Sequence, residues 1–128
     1  MPIIANAEAP EIPWRPGYRS FILAGREQGM SCVASYGVVE PGAGAPLHVH
    51  EQVDEIFIVL EGTLEFRLNE ERHQVGAGNT IAIPAGTPHG FLVVGATPAR
   101  FYTFLPQVGA IAAATYLEGG APLGADRH

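Results

Sequence analysis

Lysine is absent from this chain of 128 residues, and its seven basic side chains are all arginines. Schiff-base chemistry through a lysine amine is therefore unavailable. Against thirteen acids the arginines leave a formal net charge of −6. They form no basic cluster, so the chain lacks the electrostatic footprint that a phosphate backbone or an anionic membrane demands. Neither nucleic acid nor membrane is expected as a partner; a small neutral or metal-chelating molecule fits better. Cysteine is nearly missing too. Cys32 stands alone, which excludes an intrachain disulfide and suits a reducing compartment. Its expected role is that of a small buried hydrophobe in a strand. Long apolar runs are also lacking, the stretch from Val108 to Tyr116 being too short to cross a bilayer. The opening Met-Pro-Ile-Ile-Ala-Asn-Ala-Glu has no basic region followed by an apolar run, so no secretory signal is read there. The expectation is a soluble, cytoplasmic protein.

What the chain does have is apolar material and turn residues. Hydrophobic residues make up 47%, enough for one core, and 16 glycines and 11 prolines are dispersed between short apolar runs. That pattern predicts a single all-β domain. Strands are expected at Ser20–Leu23, Ser31–Val39, Leu47–His50, Glu55–Leu60, Thr63–Leu68, Arg72–Val75, Thr80–Ile83, Phe91–Val94 and Arg100–Leu105. Thr63–Leu68 alternates, with Leu64, Phe66 and Leu68 on one face and Thr63, Glu65 and Arg67 on the other. Ile56 to Leu60 is apolar at every position, so both of its faces should be covered, by a second sheet or a second subunit. Many short antiparallel strands of this kind suggest a jelly roll. Four prolines within residues 1–17 suit an extended arm over 1–18, and the turn-rich residues 118–128 read as a flexible tail, leaving a barrel over 19–117. Between Val108 and Leu117 the alanine-rich run is compatible with one helical turn or with a final edge segment.

Three of the five histidines occur in two tight contexts. In a strand, residues two apart point the same way, so His48 and His50 project toward one point. Glu55 follows after a polar segment long enough to turn and begin the next strand, which brings a carboxylate beside the imidazole pair. His89 comes from a third segment, aimed by the turn Pro84-Ala-Gly86-Thr-Pro88. Neutral imidazoles with one carboxylate suit one divalent transition metal, whether iron, manganese, nickel, cobalt, copper or zinc, and leave positions open on a metal that prefers five or six ligands. His73, in a polar hairpin return, and His128, the last residue, are assigned no function. Asp54 should point away from Glu55 into solvent.

These residues match the two motifs of the cupin superfamily. Gly42, His48, His50, Glu55 and Gly62 keep every spacing of the first motif, and Gly78, Pro84, Gly86 and His89 follow the second, which departs only at Val93, where the family has asparagine. The chain resembles a small single-domain cupin of the quercetin dioxygenase-like kind over roughly residues 35 to 105. The resemblance implies a cupin-type jelly-roll barrel, a metal held by His48, His50, Glu55 and His89, and a homodimer. The asparagine is not a ligand in the family, so Val93 leaves the metal set intact.

Parity extends the site. Phe57 and Val59 share a face with Glu55, and Phe91 and Val93 share one with His89. Tyr36, Tyr102 and Phe104 are candidate additions to the same lining, although no ligand anchors the parity of their strands and a plain core role is equally open. An apolar, partly aromatic cavity favours an aromatic or enol/diketone-type substrate over a sugar phosphate. The resemblance implies a dioxygenase using dioxygen, with Glu55 as catalytic base. A non-redox isomerase, decarboxylase or polyketide cyclase, and a non-catalytic small-molecule-binding protein, are the alternatives.

Overall fold

The computed structural model describes residues 3–128. The strands are β1 (Glu11–Arg15), β2 (Tyr18–Ala24), β3 (Val33–Val39), β4 (Gly44–Val49), β5 (Glu55–Glu61), β6 (Thr63–Leu68), β7 (Glu71–Gly76), β8 (Thr80–Ile83), β9 (His89–Val94), β10 (Ala99–Leu105) and β11 (Thr115–Tyr116). One short helix, α1 (Ala110–Ala113), precedes β11. A six-stranded sheet in the order β1-β2-β3-β10-β5-β8 faces a five-stranded sheet in the order β11-β4-β9-β6-β7. All strand pairs are antiparallel. This is the all-β jelly roll that the sequence predicts.

Alternation along each strand builds the core. Val33, Val39, Phe57, Val59, Leu64, Phe66, Ile81, Ile83, Phe91, Val93, Phe101 and Leu105 point inward from the two sheets and form one cluster. At its centre the Phe57 ring lies 5.0 Å from Phe101 and 5.2 Å from Phe66, and Phe91 lies 5.5 Å from Phe101. Each such ring is worth about 1.5–3 kcal/mol of burial, plus a smaller gain from its tilted or edge-on contacts.

Glycine is required at two joints that position the site. Gly62 turns β5 into β6 at φ 78°, and a Cβ there would fall 2.7 Å from both Pro98 O and Ala99 Cα. Gly44 lets β4 lie against β9 so closely that a Cβ would sit 1.9 Å from Phe91 O.

The two ends differ from the expectation of an arm and a loose tail. Residues 11–15 form β1, an edge strand paired only with β2, and a register irregularity between Ile12 and Arg15 accommodates Pro13. An edge position tolerates proline because its missing N–H faces outward. At the other end Leu123 N donates to Trp14 O, and Ala125 and His128 are buried. Between Val108 and Leu117 both readings are realised in succession, a helical turn and then β11 as an edge strand. Cys32 lies in a bend before β3 and is only partly buried, because the strand begins two residues later than expected.

The strand β5 is covered on one side only within a single chain. Phe57 and Val59 are buried, whereas Ile56, Ile58 and Leu60 are 36%, 43% and 38% exposed on the outer face of the six-stranded sheet. Among the described residues no helix is long and apolar enough to cross a membrane.

Candidate metal centre

The site is assembled where three connections meet at one end of the barrel. His48 sits near the end of β4 and His50 just beyond it; Glu55 opens β5 and His89 opens β9. His48 pairs directly with His89 across the β4–β9 ladder. The two loops that carry the other ligands are tied together, since Gly86 N donates to His50 O at 2.8 Å and Ala85 N donates to the Asp54 carboxylate at 2.9 Å. Asp54 is therefore exposed, as expected, but also caps the proline-rich turn that aims His89.

All four side chains are buried, and one donor atom of each lies within 4.8 Å of the others. Glu55 Oε1 is 3.0 Å from His89 Nε2 and 3.2 Å from His50 Nε2. Adjacent ligands about 2.0–2.2 Å from a common metal stand about 3 Å apart, which matches these separations.

The opposite edge of each imidazole explains what the ring presents inward. His48 Nδ1 lies 2.7 Å from Pro46 O, His50 Nδ1 3.1 Å from Ala110 O, and His89 Nδ1 3.0 Å from Thr87 O. A carbonyl oxygen only accepts, so each Nδ1 carries the hydrogen, and a ring in its neutral form turns a bare Nε2 lone pair toward the centre. Three lone pairs and a carboxylate oxygen then face one another, and His50 Nε2 has no hydrogen-bond partner. A cation resolves that conflict, so the donor set fits a metal ion. Backbone carbonyls that fix the tautomer in this way are the usual outer support of metal-binding histidines.

The electrostatics agree. Burial and the neighbouring His89 lower the pKa of His48 to about 4. Burial raises that of Glu55, but hydrogen bonds and positive charge from His50 and His89, the protonated alternative to a bound cation, outweigh it and hold the value at about 2. At neutral pH His48 is thus neutral and Glu55 ionised, the forms a metal requires.

The parity argument places the first four lining residues on the inside. Phe57 and Phe91 line a small cavity with His48 and Glu55, while Val59 and Val93 lie deeper in the core. Tyr36, Tyr102 and Phe104 are on the other side of the sheet and do not reach the cavity. Tyr36 pairs with Tyr102 and with Phe21 across the outer face, its hydroxyl accepts a hydrogen bond from Arg100 at 2.7 Å, and Phe104 is 39% exposed. Val33, Ser35 and Gly37 take the inward positions of β3 instead. The remaining walls are Trp14, Arg15, Tyr18, Ala45, Ile111, Tyr116 and Pro122, largely from the two chain ends. Sequence reasoning missed Trp14, Arg15, Tyr18 and Pro122 because the arm over 1–18 and the tail were not read as part of the barrel, and Ala45, Ile111 and Tyr116 because parity was followed only along the strands from Glu55 and His89. His128, assigned no role, packs its ring 4.3 Å from Trp14 and its Nε2 3.2 Å from Ser20 Oγ. His73 is exposed beside Glu71, as expected.

A jelly-roll barrel with three imidazoles and one carboxylate converging at one end is the architecture of cupins. Residues 35–105, over half of the chain, match the cupin domain model Cupin_2, and the chain belongs to that family. Over 50 residues it is 46% identical to quercetin 2,3-dioxygenase of Bacillus subtilis, a match that covers 39% of this chain and 15% of that protein. Among solved structures, KdgF from a Halomonas species superposes with a TM-score of 0.71 at 25% identity, over 82% of this chain and 94% of that one. The polyketide cyclase RemF from Streptomyces resistomycificus superposes with a TM-score of 0.77 at 22% identity, over 99% and 91%. The latter likeness is one of fold.

Proposed function

We propose that this cupin is a metal-dependent dioxygenase acting on a small aromatic or enol/diketone-type substrate, with dioxygen as co-substrate. The observation that carries the reading is the set of three inward Nε2 lone pairs around the Glu55 carboxylate, at the wall of a cavity lined by Phe57 and Phe91. The local identity to quercetin 2,3-dioxygenase supports the choice of reaction. A divalent transition metal held by His48, His50, Glu55 and His89 would acidify a substrate hydroxyl and hold both reactants in place. The role of the chain is then to exclude water with its aromatic walls and to take up a proton at Glu55. Glu55 is ionised at neutral pH and is therefore free of a proton of its own when it accepts one.

The test is oxygen uptake by chain loaded with ferrous iron and supplied with flavonols and β-diketones. Uptake that tracks substrate loss is expected. Turnover that continues under nitrogen would refute the oxygenase and leave Lewis-acid isomerisation, decarboxylation or cyclisation, whereas tight binding without turnover would indicate a binding protein.

The same reading includes a homodimer formed through the outer face of the six-stranded sheet. Ile56 and Ile58 neighbour Phe104 and Tyr102 there, which makes a contiguous apolar surface. Light scattering is expected to give twice the chain mass, and Ile58→Glu is expected to give a monomer that still binds metal. A monomeric unaltered chain at micromolar concentration would sink the dimer.

A further inference from the structure

Arg15 lies on β1 over the cavity beside the four ligands, and no neighbour among the described residues accounts for its charge. Arg19, Arg67, Arg72 and Arg100 each reach a carboxylate at 2.8–3.3 Å. Arg15 forms no such pair among the described residues, and its Nε is shielded from solvent without a hydrogen-bond partner. Its half-buried guanidinium stands 5.7 Å over the ring of Tyr116 and beside that residue's hydroxyl, contacts that supply no counter-charge. Of the residues lining the cavity, Arg15 and Glu55 alone are charged. The Glu55 carboxylate is directed at the histidines, so the half-buried arginine is left on the cavity wall without a paired carboxylate.

The second feature is a donor on the same wall. Tyr18 is buried beside Trp14, and burial, reinforced by the charge of Glu55, raises its pKa. It therefore remains a neutral phenol, able to donate to an oxygen. A cation with an unused N–H and a neutral O–H donor, set in aromatic walls, make a receptor for an oxyanion.

We propose that Arg15 is a specificity-determining residue that binds an anionic oxygen of the substrate, so that the site takes a small organic acid. The acid's carboxylate meets Arg15 and the rest of the molecule extends toward His48 and Glu55. This rests on the reading of the four-ligand cluster as the reactive centre and narrows its substrate class. The cavity has about 30 Å³ of room for water, enough for one or two molecules and far below the volume of an organic ligand. Entry therefore requires the cover to move. β1 and the two-residue β11 are the sheet edges placed to do so, each paired on one side only.

Trp14, the only tryptophan, lines the same cavity and supplies the readout. Quenching of its fluorescence by benzoate and by the uncharged isostere benzamide is measured on the unaltered chain, Arg15→Gln and Arg15→Lys, each zinc-loaded and metal-free. Benzoate is expected to bind Arg15→Gln at least ~10-fold more weakly than the unaltered chain, with benzamide changed less than ~2-fold and Arg15→Lys intermediate. Equal losses for both probes, or a benzoate affinity that Arg15→Gln leaves within ~2-fold, would overturn the proposal. So would failure of benzoate, acetate and phenylacetate alike to bind the unaltered chain. Should Arg15→Gln lack the native near-ultraviolet circular dichroism, the charge-retaining Arg15→Lys decides, since loss of the bidentate fork alone must still weaken benzoate and not benzamide. Zinc content is determined on the same samples. A chain that takes up no zinc refutes the metal reading, and the metal-free comparison still decides the role of Arg15.

Discussion

His89→Ala is expected to bind a divalent transition metal at least ~100-fold more weakly than the unaltered chain, because loss of a direct ligand should exceed the 10–100-fold effect of losing an outer partner. His89 occupies the tightest place in the cluster. It pairs with His48 across the sheet, stands 3.0 Å from Glu55 Oε1, and is almost wholly buried, so no solvent group can replace it. Glu55→Gln should weaken the metal comparably while leaving the β4–β9 pairing intact, which separates loss of a donor from collapse of the ladder. Competition titration with a chromogenic chelator measures both variants. Wild-type affinity in either one would remove that residue from the ligand set. The same titration against pH gives a second check. A histidine of ordinary pKa begins to compete for protons near pH 6.5. His48, neutral until about pH 4, keeps its lone pair available as the solution is acidified between those values. Protonation at His48 should therefore contribute to metal release only as the pH approaches 4.

Phe101→Ala is expected to destabilise the fold by about 3–5 kcal/mol, a large part of the total stability of a domain this size. Phe101 is fully buried at the centre of the barrel, within 5.0–5.9 Å of the rings of Phe57, Phe91 and Tyr18, and its edge occupies the space that Gly37 leaves open on β3. Nothing beside it can collapse into the void, since the neighbouring rings are held by two sheets. Phe101→Leu retains much of the volume and should cost about 1–1.5 kcal/mol. Urea denaturation monitored by circular dichroism distinguishes the two. A loss below ~1 kcal/mol for the alanine variant would show that the core relaxes freely around the site.

The parts of the molecule that were legible in the sequence share a physical trait: each is fixed by short-range geometry. Phe57 and Val59 are placed by their two-residue steps from Glu55, whose role as a ligand candidate fixes which face of an otherwise wholly apolar strand turns inward, and the motif spacing around His48, His50 and His89 sets the loops that converge on it. Tyr36, Tyr102 and Phe104 misled because β3 and β10 carry apolar or aromatic residues on both faces. Only pairing with Phe21 and Ile58 on neighbouring strands reveals that they lie outside. β1 was hidden by Pro10, Pro13 and Pro16, which argue against a strand unless it is known to be an edge. The burial of His128 against Trp14 joins residues 114 positions apart, a contact that no local pattern encodes.

The cover of the cavity has a consequence for how members of such a family diverge. All four metal-binding candidates lie within residues 35–105, the stretch that matches the shared domain, as do the wall residues Ala45, Phe57 and Phe91, whereas Trp14, Arg15, Tyr18, Ile111, Tyr116 and Pro122 lie outside it. The donor set and much of the cavity's cover are thereby written on separate stretches of one chain. Mutations can accumulate in the terminal segments, or whole segments can be exchanged between relatives, and retune what is admitted while the donor set remains untouched.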